Sequence, residues 1–403
     1  MVLPNLLRGA FLLGLMVAGS PGQSSAPEVT VSTREALVAE LSKAGAGTVI
    51  RIAPGNYEGG ISARGLRGTK DKPILITALD PKQPPVFTGR SFGFQLSGCS
   101  HIELRDLQIT GASGNGLNID DASRRDTPPR GIVLRRLTIT NIGPKGNCDG
   151  IKMSGVDGLL VEDCRVERWG SSGSAIDFVG CHEGAVQGCR FTHDPGPGSD
   201  MANGVQMKGG SRAIAVRQCQ FFSAGGRAVN AGGSTNPDYF RPADAPHEAS
   251  QLLVEDCLFV GSMAPVAFVG VDGAHFQYNT IVHPTRWVLR ILQENKNPAL
   301  TACRKGIFSH NLVVFRSGDL STVVNAGGGT EPATFRFEKN AWHCEDRPAA
   351  TQSLIRLPAP EAGGNYGSGP AFQDAAAGDY RQAPNSPTCE YGVREKPPKV
   401  GSP

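Results

Sequence analysis

Aromatic residues make up only 6% of this 403-residue chain, and its charges nearly cancel, leaving a formal +3. So small a balance gives no support for nucleic acid or an anionic membrane surface as a partner. Long hydrophobic runs are scarce too. The one apolar stretch, GAFLLGLMVAG (Gly9 to Gly19), follows the basic Arg8 and exits through small residues from Ser20 to Ala26. It is too short for a stable bilayer anchor, and its order of basic, apolar and small segments predicts a signal peptide. We assign residues 1–26 to it, with a secreted or periplasmic, monomeric product. No cysteine stands directly after it, which argues against lipid attachment there. The rest of the chain carries no low-complexity linker, so its length does not divide into ordinary domains.

Glycine, by contrast, is abundant at 52 residues, and there are ten cysteines. Ten cysteines in an exported chain would ordinarily suggest disulfides. Their spacing suggests a repeat instead. LRDLQIT (Leu104 to Thr110), LRRLTIT (Leu134 to Thr140) and VEDCRVE (Val161 to Glu167) share one pattern, continued in VQGCRFT, VRQCQFF, VEDCLFV, FQYNTIV, FSHNLVV and FEKNAWH. Their central residues are Leu107, Leu137, Cys164, Cys189, Cys219, Cys257, Asn279, Asn311 and Asn340, separated by 22 (Cys257 to Asn279) to 38 (Cys219 to Cys257) positions. A period of that size marks a solenoid, and apolar–polar alternation between Gly or Ser corners marks strands. The predicted fold is all-β: a right-handed parallel β-helix, a pectate-lyase-like solenoid.

The central residues then form one inward ladder, with Asn stacking by amide hydrogen bonds and Cys filling space. Parallel neighbours stand about 4.8 Å apart, too far for a disulfide, so the ladder thiols are expected free. Cys99, Cys181 and Cys303 each precede a ladder position by eight residues, on non-adjacent rungs. Cys344 with Cys389 is the one bridge proposed. Thr33 to Lys43 has helical periodicity and predicts an N-terminal cap over the first rung. We divide the chain into 1–26, a β-helix domain with its cap over 27–357, and an irregular C-terminal wrap with a disordered tail over 358–403. Trp287 and Trp342 read as outer packing.

A second strand follows each ladder strand: NGLNIDD, DGIKMSG, SAIDFVG, NGVQMKGG, RAVNAGG, PVAFVG and WVLRILQ. If Ile151, Met153, Val205 and Met207 point inward, the alternate positions point out. One outward column is Asn118, Lys152, Asp177, Gln206, Asn230, Ala267 and Arg290, flanked by Asp120, Ser154, Val179, Lys208 and Gly232. Two corner insertions, His193 to Ala202 and Gly232 to Ala249, flank the charged rungs and are expected to wall a groove.

The segments IRIAPGNYEGGISARGLRGTKDKPILITAL and GVQMKGGSRAIAVRQCQFFSAGGRAVNAGG resemble the chondroitinase B and alginate lyase group, polysaccharide lyase family six. The resemblance places Lys208 on that family's catalytic lysine. The family's arginine–histidine pair would fall near Ala231 and Gly232, leaving Arg227 to substitute. Its calcium-binding carboxylates are unmatched, with Met201 and Asn203 nearest, so calcium is in question and no cofactor is assigned. The resemblance implies β-elimination on a uronate-containing polysaccharide of alginate or glycosaminoglycan type. That reaction needs a base for the C5 proton, an acid for the 4-linked oxygen and a cation on the carboxylate. Lys208, Arg227 and Tyr239 are the candidate catalytic residues, with Lys208 as base, its pKa lowered by burial and by a neighbouring cation. Lys152, Asp177, Gln206, Asn230 and Arg241 are the candidate substrate-binding residues.

Each of these has an ordinary rival: Lys208 and Lys152 as solvated surface lysines, Arg227 stitched to Asp177 or Glu248, Tyr239 as a loop anchor. His182, His193, His247 and His283 share no zinc spacing. A glycoside hydrolase using Asp120, Asp149 and Asp177 is one alternative, although Gly-His-Gly and Arg-Ile-Lys segments are absent. An epimerase and a non-catalytic carbohydrate-binding or adhesion β-helix are the others.

Overall fold

The computed structural model describes residues 27–143, 145–193 and 201–394. The signal peptide expected over 1–26, positions 194–200 of the first insertion and the last nine residues lie outside the described residues. Among the described residues, strands form three long sheets of 15, 10 and 12 members, and every pairing within them is parallel. The chain is a coil that passes through each sheet once per turn, a parallel β-helix.

The ladder runs as the spacing predicts. Leu107, Leu137, Cys164, Cys189, Cys219, Cys257, Asn279, Asn311 and Asn340 are all buried, at most 1% exposed. Asn279 donates to Asn311 at 3.2 Å and Asn311 to Asn340 at 3.0 Å, and Glu361 closes the stack by accepting from Asn340 Nδ2 at 2.7 Å. The cysteine rungs use sulfur as the acceptor: Cys164 N–H donates to Cys189 Sγ at 3.4 Å, and Cys219 N–H to Cys257 Sγ at 3.4 Å. Beside the ladder, phenylalanines stack rung on rung, from Phe191 through Phe221, Phe259 and Phe276 to Phe308, with centroids 4.6 to 5.4 Å apart.

Gly and Ser were the expected corner residues, and at one corner the structure differs. The residue before each ladder position adopts the left-handed conformation: Asp106, Arg136, Asp163, Gly188, Gln218, Asp256, Tyr278, His310 and Lys339, at φ from 48° to 64°. For a residue with a side chain this costs roughly 1 kcal/mol. Local propensity does not select it. It persists because the stacked rungs above and below fix the bend that turns each ladder residue inward.

The ends are closed by different means. Helix α1 (Arg34–Leu41) starts at Thr33, whose hydroxyl accepts from Ala36 N at 3.1 Å, and buries Leu37 and Leu41 over the first rungs. At the other end an antiparallel hairpin, Phe372–Asp374 with Asp379–Gln382, leads into a segment that returns along the outside of the coil. There Phe372 and Tyr391 pack on the outward Leu312, Val314 and Ala341. Arg394 grips Asp256 at 2.9 and 2.6 Å and lies over the Tyr278 ring. The C-terminal wrap is therefore docked on the coil as far as Arg394.

Two further expectations are corrected. Cys344 and Cys389 are both free: Cys344 belongs to the core, whereas Cys389 is exposed on the returning segment, with the coil wall between them. Trp342 is not outer packing but a fully buried core residue stacked on Phe308, its indole N–H donating to Glu361 at 2.9 Å. Trp287 is nearly buried between the guanidinium groups of Arg286 and Arg290.

Candidate active site

The ten-stranded sheet carries the site. In chain order its strands are β1 (Ile61–Arg64), β2 (Phe94–Ser97), β3 (Leu117–Asp120), β4 (Ile151–Ser154), β5 (Ser174–Val179), β6 (Asn203–Lys208), β7 (Arg227–Gly232), β8 (Ala264–Val269), β9 (Leu289–Leu292) and β10 (Val324–Ala326). Their register aligns Asn118, Lys152, Asp177, Gln206, Asn230, Ala267 and Arg290 in one outward column. It aligns Asp120, Ser154, Val179 and Lys208 in the next.

Outward does not mean exposed in the middle of this face. Asp177 and Asn230 are each 1% exposed and Gln206 is 8%. The loop from Gly232 to Ala249 folds over the sheet here and makes one wall of a cleft of about 600 Å³. Lys152, Lys208 and Ser154 line its sheet side, Tyr239 its loop side, and Asp121 and Arg125 its rim.

Charge on the cleft floor is arranged around Asp177. Lys152 Nζ stands 2.7 Å from its Oδ2 and 3.2 Å from Asp149 Oδ2, while Lys208 Nζ stands 3.4 Å from its Oδ1. Burial works against the Lys152 charge, but Asp177 and Asp149 outweigh it and hold that ammonium well above the usual lysine range. Burial, reinforced by the neighbouring charge of Asp177, pushes the Asp149 carboxyl up. Lys208 also donates to Gln206 Oε1 at 3.1 Å, so Gln206 orients a lysine rather than offering itself to a ligand. Lys152, Lys208 and Tyr239 are thus brought to one cleft.

Arg227 is not. It does not line the cleft; both terminal nitrogens engage Glu294, at 3.1 and 2.5 Å, and one donates to Asn230 at 3.2 Å. Its partner is neither Asp177 nor Glu248 but a residue on a loop 67 positions away. Arg241 is buried, and its guanidinium binds Asp157, His182 Nδ1 at 2.8 Å and the Gly180 carbonyl at 2.8 Å. It anchors the loop and has no fork left for a substrate carboxylate. Asp177 and Asn230, both fully covered, position cations and do not face the cleft as free groups.

Sequence reasoning missed the main support of this cleft. Glu248 is fully buried and accepts four hydrogen bonds: from Thr235 N at 2.8 Å, Thr235 Oγ1 at 2.7 Å, Gly209 N at 3.0 Å and Asn295 Nδ2 at 2.6 Å. It ties the root of the Tyr239 loop to the residue after Lys208. Only its place among the residues of the second insertion marked it.

The positions matching the family's arginine–histidine pair are closed to such side chains. Ala231 is buried in the core, and a Cβ at Gly232, whose φ is 99°, would meet the Val269 carbonyl oxygen at 1.8 Å. Calcium does not fit either. Met201 and Asn203 offer no carboxylate, Lys152 already neutralises Asp149 and Asp177, and no group of three or more His, Cys, Asp or Glu able to hold a metal occurs among the described residues.

The architecture is thus a coil of parallel strands with a polar cleft on one sheet, walled by a corner loop. Residues 87–281 match the family model of the right handed beta helix region, and the protein is a right-handed parallel β-helix. It is similar in fold to the pectate lyase Pel9A, at 12% identity and a TM-score of 0.50, covering 89% of this chain and 86% of that one. It is equally similar to the A-module of the mannuronan C-5 epimerase AlgE4 of Azotobacter vinelandii, at 11% identity and a TM-score of 0.50, covering 85% of this chain and 95% of that one. An alginate lyase from Paenibacillus sp. strain FPU-7 aligns at 16% identity and a TM-score of 0.48, covering 76% of this chain and 99% of that one. No curated protein sequence matches the chain.

Proposed function

We propose that this protein is a polysaccharide lyase that cleaves a uronate-containing polysaccharide by β-elimination, acting as an exported monomer. The observation that carries the reading is the convergence of Lys152 and Lys208 on Asp177 at the floor of a cleft that Tyr239 faces from the loop. Lys152, kept cationic by two buried carboxylates, donates its remaining N–H to the uronate carboxylate and so helps make the C5 proton removable. This is the role sequence reasoning gave to Arg227. Lys208, the less tightly paired lysine, takes the C5 proton in its neutral-amine form, freed from its ion pair with Asp177. The electrons of that C–H bond form the C4–C5 double bond, the C4–O bond breaks, and the Tyr239 hydroxyl protonates the departing oxygen. A hydrolase is disfavoured because Asp149 and Asp177 are buried and bound to Lys152, so neither is free to serve as the acid or base that hydrolysis needs.

The test is incubation of the purified protein with alginate, pectate, hyaluronan and chondroitin, with and without chelator, followed by ultraviolet absorbance. The expected result is a rise from the conjugated double bond on at least one polymer, lost in Lys208→Ala. New reducing ends without that absorbance would replace elimination by hydrolysis. Inversion at C5 without chain cleavage would make the protein an epimerase, and binding with neither reaction an adhesion module.

A further inference from the structure

The column that holds Lys208 extends well beyond the cleft. Register pairs Lys208 with Val179, Val179 with Ser154, Ser154 with Asp120, Asp120 with Ser97, and Ser97 with Arg64. Cations stand only at the two ends of this line, five rungs apart, which is about 24 Å at the usual strand spacing. Around Arg64 lies a second cavity of about 410 Å³, lined also by Gln95, Ser97, Asp120 and Asp121. Asp121 and Ser123 belong to the lining of both cavities, so the two adjoin along this line of rungs. The shared rim is fixed: Ala122 N donates to Asp120 and Ser123 N to Asp121, each at 2.8 Å.

Arg64 has no hydrogen-bond or ion-pair partner among the described residues, whereas Asp120 in the same cavity is taken up by Gln95 at 2.5 Å and Ser97 at 2.7 Å. A guanidinium left uncommitted beside engaged carboxylates, at the far end of a groove, is placed to receive an anion from outside the chain. We propose that Arg64 forms a distal subsite for a second carboxylate of the same acidic oligosaccharide. The stretch between, over Asp120 and Asp121, takes sugar hydroxyls, which donate to those carboxylates. The ligand is therefore an acidic oligosaccharide of about six sugars or more, at roughly one sugar per rung spacing. This rests on the proposed function, and the experiment separates the two.

Binding is measured by calorimetry in the Lys208→Ala background, which prevents turnover. The probes are alginate and hyaluronan oligosaccharides ranging from two to about eight sugars. Affinity is expected to tighten as the probe lengthens, and Arg64→Ala to remove that gain, weakening the longest bound probe about tenfold as befits one charge-assisted contact. Arg64→Lys should restore part of it. Length-dependent tightening that persists in Arg64→Ala overturns the distal subsite and leaves the proposed function standing. If no probe of either polymer binds at any length, the distal subsite falls, and the proposed function is decided separately by turnover on the four-polymer panel.

Discussion

Lys152 and Lys208 reach the same carboxylate from opposite sides: Lys152 Nζ is 2.7 Å from Asp177 Oδ2, and Lys208 Nζ is 3.4 Å from Oδ1. The asymmetry matters because Lys152 has a second carboxylate, Asp149, and Lys208 does not. One lysine is a fixed cation embedded in a buried charge cluster. The other is held by a single long ion pair and a glutamine, with its head in the cleft. Their removal should therefore have different consequences.

Lys208→Ala is expected to lower the elimination rate by about 10²- to 10⁴-fold, the usual range for a general base, while the urea midpoint hardly moves. Lys152→Ala is expected to cost about 3–5 kcal/mol of stability, because it leaves Asp149 buried without a cation and Asp177 with only the long Lys208 pair. Urea unfolding of the two variants side by side checks this. Equal stability in both would mean that the cluster around Asp177 is not the buried network its geometry describes.

Tyr239 is 64% exposed, so its ring contributes little to packing. Tyr239→Phe should leave the thermal midpoint unchanged and lower kcat by about 10²-fold, with KM nearly constant, as expected when a group acts mainly on the leaving oxygen. A wild-type kcat in this variant would assign the proton donor elsewhere.

Much of the fold was legible in the sequence because a solenoid repeats its evidence. The inward Cys and Asn positions recur once per turn, and the column Asn118, Lys152, Asp177, Gln206, Asn230 can be read by strand alternation alone. The left-handed corners were not legible as a set, since Arg136, Tyr278 or Lys339 carries no local signal for positive φ; the neighbouring rungs impose it. Lys152, Lys208 and Tyr239 come to one cleft because each lies on a strand or on an insertion at those rungs. Arg227 misled because alternation gives direction but not partner, and Glu294 captures it from a loop 67 residues on. Arg241 misled in the same way: its partners lie 59 to 84 positions away, a separation no local pattern encodes.

The thiols offer an independent check on the interior. Eight cysteines are buried, Cys148 is half-buried and Cys389 is exposed, all of them free. Burial pushes the Cys181 thiol up to about 12 and Cys303 up to about 11, so neither offers a thiolate at neutral pH. In the native protein a thiol reagent should label Cys389 quickly and Cys148 slowly, and reach the others only on unfolding. Two missing thiols after denaturation without reductant would restore the Cys344–Cys389 bridge.

Acid should loosen the cleft wall before it melts the coil. His182 lies under the Tyr239 loop: Arg241 Nη2 donates to its Nδ1 at 2.8 Å, so its Nε2 carries the proton and donates to the Arg241 carbonyl at 3.1 Å. Burial, followed by the charges of Arg241 and Arg212, holds His182 below the usual value of 6.5, with Asp157 opposing. Burial likewise lowers His247 and His310. In each case the unfolded chain binds the proton more readily than the native one, so the stability these groups contribute is complete above about pH 6.5 and drains away as pH falls below it. A protonated His182 can no longer accept from Arg241 and places a second cation against it, which releases the loop that carries Tyr239. Urea midpoints measured from about pH 7.5 down to about pH 5 should therefore fall, and His182→Gln, whose side-chain oxygen can still accept from Arg241 without titrating, should flatten part of that slope. Protease cleavage within 232–249 should appear in the same acidic window for the wild type and be weaker in the variant. A midpoint that holds or rises on acidification would show that these histidines are not the groups setting the acid limit.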